Sequence, residues 1–121
     1  MTVIPSAIKT AFGMTDFVAT DNITASLPGA NTVVAGIDGY FIVVFGYLLV
    51  SSGDVEVAFE TESGDVISGP YDTAMTGGNI GVPNSDFGHF ICKKNEDLVL
   101  DLGGPVHVGG HITIGYIRGG L

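Results

Sequence analysis

Three histidines, a single cysteine and a cluster of acids are the side chains of this sequence with the most scope for chemistry beyond packing. His107 and His111 bracket a Val-Gly-Gly segment. On an unbroken strand a separation of four residues sets the two imidazoles about 13 Å apart, too far to share one ion. Only a sharp reversal at the glycines would join them, so two unrelated histidines and no metal are expected. Asp54, Glu56, Glu60, Glu62 and Asp65 would suggest a calcium loop, but the fixed ligand spacing around a tight glycine turn is missing. They read instead as the solvated face of a strand. Cys92 has no CxxC or Cys/His companions and reads as a small buried hydrophobe. Gly77-Gly78 and Gly103-Gly104 fit no phosphate-loop pattern, and no GxSxG is present. A glycosidase-like carboxylate pair would lack a Trp sugar platform, since the chain has none. No catalytic residue, cofactor or metal is therefore expected, and the chain reads as non-enzymatic.

The elements that carry these residues are strands. From Asp16 onward β-branched and aromatic runs recur between turn signals such as Pro28-Gly29, Asp38-Gly39, Ser63-Gly64-Asp65 and Lys94-Asn95. Such spacing predicts an all-β sandwich or barrel. Val55, Val57 and Phe59 alternate with acids, Leu98, Leu100 and Leu102 with Val99 and Asp101, and Ile112, Ile114 and Tyr116 with Thr113 and Gly115. Further strands are expected near Phe17 to Leu27, Asn31 to Ala35, Tyr71 to Thr76 and Phe87 to Cys92. Tyr40 to Val50 differs, because both of its faces are apolar, and Gly46 is placed to mark a bulge or a close backbone approach. Without helical crossovers to cover a second face, the outward residues Phe41, Val43 and Phe45 are expected at an oligomer interface. Residues 1–14 hold Val3, Ile4, Ile8 and Phe12 without a period and read as an N-terminal arm that needs a partner to become ordered, leaving 15–121 as one sandwich domain.

Composition bounds the function. The chain has 121 residues, 45% of them hydrophobic and 14% charged, with a mean hydropathy of +0.45. Disorder is excluded by that apolar content, and 19 Gly with 5 Pro interrupt the chain too often for an ordinary helical domain. A formal charge of -9 repels phosphate backbones and anionic lipid, so neither nucleic acid nor a membrane is an expected partner. The longest apolar run, 39–52, is shorter than the roughly 20 residues of a membrane helix. No secretory signal is expected at the N-terminus.

A more specific pattern runs through residues 31–117. Val33-Val34-Ala35, the alternating Val55 to Phe59, Ser68-Gly69-Pro70, Phe87-Gly88-His89-Phe90, Leu98 to Leu102 and Val108-Gly109-Gly110-His111-Ile112-Thr113 follow in order. This series resembles small tailed-phage structural proteins, in which an aromatic-rich segment precedes an LxLxL strand and a VGGHxTY-like strand. The present chain departs from that pattern at its end, Ile114 to Leu121, where the aromatic is displaced and a glycine tail follows. The resemblance implies an antiparallel, jelly-roll-like β-sandwich that decorates or cements a phage capsid, commonly as a homotrimer on the major capsid protein. The expected location is then the virion surface, after synthesis in the host cytoplasm, with Val3, Ile4, Ile8 and Phe12 of the arm and the outer loops touching the shell. A fibre or receptor-binding module is the alternative. A cupin-like enzyme is disfavoured because the HxH pair is missing.

Overall fold

A computed structural model describes residues 2–5 and 7–119. The strands are β1 (Thr2–Pro5), β2 (Lys9–Thr10), β3 (Gly13–Met14), β4 (Phe17–Ala25), β5 (Gly29–Val34), β6 (Tyr40–Ser51), β7 (Glu56–Thr61), β8 (Val66–Asp72), β9 (Asn79–Val82), β10 (Phe90–Ile91), β11 (Leu98–Leu102) and β12 (Val108–Arg118). One sheet runs β1-β4-β12-β6-β10, with β9 also on β6, and a four-stranded sheet runs β5-β11-β7-β8. All pairings are antiparallel. They nest along the chain: β4 pairs with β12, β5 with β11, β6 with β10 and β7 with β8. The chain is an antiparallel β-sandwich.

The alternation in the sequence decides which side chains lie between the sheets. Leu98, Leu100 and Leu102 of β11, Val57 and Phe59 of β7, and Ile112, Ile114 and Tyr116 of β12 all enter one core. Tyr47, Phe59 and Phe90 form an aromatic group there, with the first two ring centroids 4.7 Å apart. Tyr116 is fully buried, and its hydroxyl donates to the Ala35 carbonyl at 3.0 Å, which ties β12 to the chain leaving β5. Burial pushes its pKa up to about 12.

Three elements differ from expectation. The strand expected at Tyr71 to Thr76 lies earlier, as β8, and Thr73–Thr76 form a 3-10 turn. The Asp72 side chain stops the strand by accepting from the Ala74 amide at 2.9 Å. β9 is only four residues long between Gly-Gly and Pro, which hides it among turn signals. In the Phe87 to Cys92 segment Phe90 and Ile91 form the ladder, although the amides of His89 and Cys92 also donate to Val44 and Ile42.

The N-terminal segment finds its partner within the chain. Residues 2–5 add a strand beside β4, with Val3 opposite Ala19 and Ile4 opposite Val18. β2 and β3 form a small hairpin closed by the Thr10 hydroxyl, which donates to the Gly13 carbonyl at 2.8 Å. This hairpin sits on the outer face of the six-stranded sheet. Its exit is held where the Asp16 amide donates to Tyr116 at 2.9 Å and the Asp16 carboxylate receives Arg118 Nε at 3.2 Å.

Candidate functional site

The outer face of the six-stranded sheet has two halves, and a bulge in β6 separates them. Register shifts between Thr113 and Ile114 of β12, opposite Gly46 and Val44, so Phe45 is an extra residue. Side-chain parity flips there. Ile42 and Val44 before the bulge, and Tyr47 and Leu49 after it, all face the core. Phe41, Val43 and Phe45 therefore face outward in the first half, and Leu48 and Val50 in the second.

The first half is covered by the chain itself. Val43, Phe45 and Ile117 form a second apolar cluster, with Val18, Phe41 and Ile91 half-buried around it. Val43 is 0% exposed and Phe45 3%. The lid consists of residues 8–15 together with 85–88, joined where the Ala11 amide donates to the Phe87 carbonyl at 2.8 Å and the Ser85 amide to Phe45 at 2.9 Å. Fit at this lid is close. A Cβ at Gly115 would lie 2.7 Å from Thr15 Cγ2 and 2.8 Å from Phe45 Cε2, and one at Gly88 2.8 Å from Val43 Cγ2. The two-sided apolar pattern of β6 thus has an intramolecular cause at Val43 and Phe45, so it does not by itself require a second subunit there. Phe41 lies at the margin of the cluster. Of the arm residues expected at the contact, Ile8 is half-buried, whereas Phe12 is 42% exposed near the still more open Phe87 and Met14. The side chains of Val3 and Ile4 lie outside the described residues.

The second half of the face is open. Leu48 and Val50 are 40% and 47% exposed on a strand in the middle of the sheet. Asn22, His111 and Leu48 stand in one cross-strand row, and Thr24, Val50 and Asn79 in the next. None of these residues is an Asp, Glu, Lys or Arg. Most of the acids lie elsewhere: Glu56, Glu60, Asp72 and Asp101 are on the strands of the four-stranded sheet, and Asp54, Glu62, Asp65 and Glu96 are in the loops around it, whereas Asp21 is on β4, Asp16 at the hairpin exit and the exposed Asp86 in the lid.

Those acids have structural duties. Glu96 accepts the Ser63 amide at 2.8 Å, and Glu62 the Asp97 amide at 3.0 Å. The Ser63 hydrogen bonds hold the Glu96 carboxyl below its ordinary range. Asp65 pairs with Lys93. Glu60 is shifted the other way, by partial desolvation and then by the nearby Asp101 charge. A shallow depression of about 150 Å³ lies among Glu56, Glu60, Pro70 and Asp101, below the ~300 Å³ at which small-molecule sites begin. Among the described residues no group of three or more His, Cys, Asp or Glu could hold a metal ion. His89 bonds the Pro83 carbonyl at 2.8 Å. His111 stands on the open face, four residues along the chain from His107. Cys92 is buried, with its thiol 3.5 Å from the Asp97 carbonyl, and burial pushes its pKa up to about 11.

No family model matches the chain, and no curated protein sequence does. Among solved structures, a chain of the acidic stable capsid structure of Helicobacter pylori bacteriophage KHP30 is similar, with a TM-score of 0.53 and 10% identity. The likeness covers 96% of this chain and 95% of that one, so the two are of nearly equal length and share the fold end to end.

Proposed function

We propose that this chain is a non-enzymatic structural protein of a bacteriophage virion, which binds the outside of the capsid shell as a homotrimer and stabilises it by linking neighbouring copies of the major capsid protein. The observation that carries the reading is the end-to-end likeness to a chain of comparable size in a phage capsid structure. The nested strand pairs, β4 with β12 outermost and β7 with β8 innermost, support a jelly-roll topology for it. A rigid sandwich whose acids serve as backbone acceptors and ion-pair partners suits a cement role. Attachment is assigned to the loops at the sandwich end where the Ser51 amide meets Gly78 and the Ser52 amide meets His107. Leu27 and Met75 are strongly exposed near that end and would contribute affinity when covered. Anything that binds only the assembled shell shifts assembly towards it.

Co-sedimentation of the purified chain with empty phage capsids tests this reading. Saturable binding and a raised capsid melting temperature are expected, with Leu27→Asp and Met75→Asp weakening both. A folded chain that leaves capsids unbound and their melting unchanged would refute it.

A further inference from the structure

The lid and the open half of the six-stranded sheet together form a step. Phe12, Met14 and Phe87 make an exposed apolar ridge one layer above the sheet, and Leu48 and Val50 lie on the uncovered floor beside it. The two are contiguous, because Gly115 under the lid and Thr113 at the edge of the floor are alternate residues on the same face of β12. Four strands at ~4.8 Å spacing and five residues at ~3.3 Å give the floor an area of about 300 Å². Its apolar side chains, Leu48 and Val50, stand among Asn22, Thr24, His111 and Asn79, so the step joins an apolar ridge to a mixed floor, the apolar-and-polar make-up of a protein contact surface.

We infer that a second copy of this chain docks on this step, with the Phe12/Phe87 ridge of one copy on the Leu48/Val50 floor of the next. The charge distribution selects that occupant. A chain of net charge -9 resists its own association wherever acids meet. Asp86 is exposed in the lid beside Phe87, but with the six-stranded faces turned inwards the acidic four-stranded sheets lie outermost, separated by three sheet spacings of ~10 Å each, about 30 Å. That is several times the ~8 Å screening length at physiological salt, so the repulsion is quenched in this orientation. Contact through the four-stranded sheets would instead bring Glu56, Glu60 and Asp101 of both copies together. Ridge and floor are different patches of one surface, so each contact is heterologous and can close into a ring such as a trimer. This assignment deepens the self-association in the proposed function and does not depend on attachment to a shell.

The test is light scattering of the full chain at tens of micromolar and 150 mM salt. A mass above the 12.5 kDa of one chain is expected. Val50→Lys and Phe87→Asp should each reduce it to one chain while circular dichroism and cooperative melting persist, since both side chains are exposed. Val66→Lys, at an exposed apolar residue on the four-stranded sheet, should leave the mass unchanged. A wild-type monomer would overturn both the inference and the proposed self-association. An oligomer that survives both step variants would overturn the inference alone. A wild-type monomer whose capsid binding is abolished by Val50→Lys would identify the occupant as a shell subunit rather than a second copy. An intact oligomer that ignores capsids would refute the shell reading and leave the inference standing.

Discussion

Replacing Phe45 by Ala measures what the hairpin lid contributes. Phe45 points away from the sandwich core, on the face that would be solvent in a bare sheet, yet it is almost fully enclosed by residues 8–15, 85–88 and Ile117. Truncating an enclosed Phe removes its transfer free energy and leaves a void, for a cost of about 3 to 5 kcal/mol. For a domain of this length, at ~4 °C per kcal/mol, the melting temperature should fall by more than ~10 °C. Leu48 is the internal reference, because it points the same way from the same strand three residues later and is exposed. Leu48→Ala should cost under ~1 kcal/mol. Both changes belong in the Val50→Lys background, where association adds to neither value, with stability read from urea unfolding. If Phe45→Ala costs no more than Leu48→Ala, the lid does not enclose this face, and the account of the two-sided β6 pattern is wrong.

Deleting residues 1–15 should uncover Val43, Phe45 and Ile117 at ~1.5 to 3 kcal/mol each, a loss comparable to the whole stability of a domain. The truncated chain is thus expected to unfold or aggregate, and a truncation that melts at the full chain's temperature would contradict the lid. Gly115→Val places methyl groups where Thr15 and Phe45 already sit. Limited proteolysis should then cut within residues 7–15 faster than in the wild type, and unchanged protection would show that the lid accommodates the side chain. Cys92 should resist alkylation at pH 8 in the native protein, because its thiol is buried and its pKa is about 11, and should react once urea unfolds the chain. Glu60 has a folded pKa raised above the unfolded value, so the native state binds more protons and stability falls as pH rises through that window. Glu60→Gln should therefore gain stability relative to the wild type at pH 7 and lose that gain below about pH 4; equal pH profiles from acid unfolding would refute the upward shift of Glu60 by desolvation and the Asp101 charge.

The alternation of Leu98-Leu100-Leu102, Val55-Val57-Phe59 and Ile112-Ile114-Tyr116 was sufficient on its own to assign strands and choose their inner faces, because a side-chain period of two is a local property of extended backbone. Short strands were harder. β9 and β10 have two to four residues each and exist through hydrogen bonds to β6, which no local pattern announces. The reading of β6 shows the same limit. Its sequence reveals two apolar faces, and Gly46 hints at a bulge, but which residues lie outward beyond it depends on the register against β12. What covers the outward half depends on contacts between residues 8–15 and residues some 30 to 100 positions away. A segment with apolar residues and no period looks like a free arm in sequence, since periodicity reports only a regular element buried along one side. The hairpin buries its irregularly placed side chains one by one against Val43, Phe45 and Ile117, and only the closed tertiary structure supplies that surface.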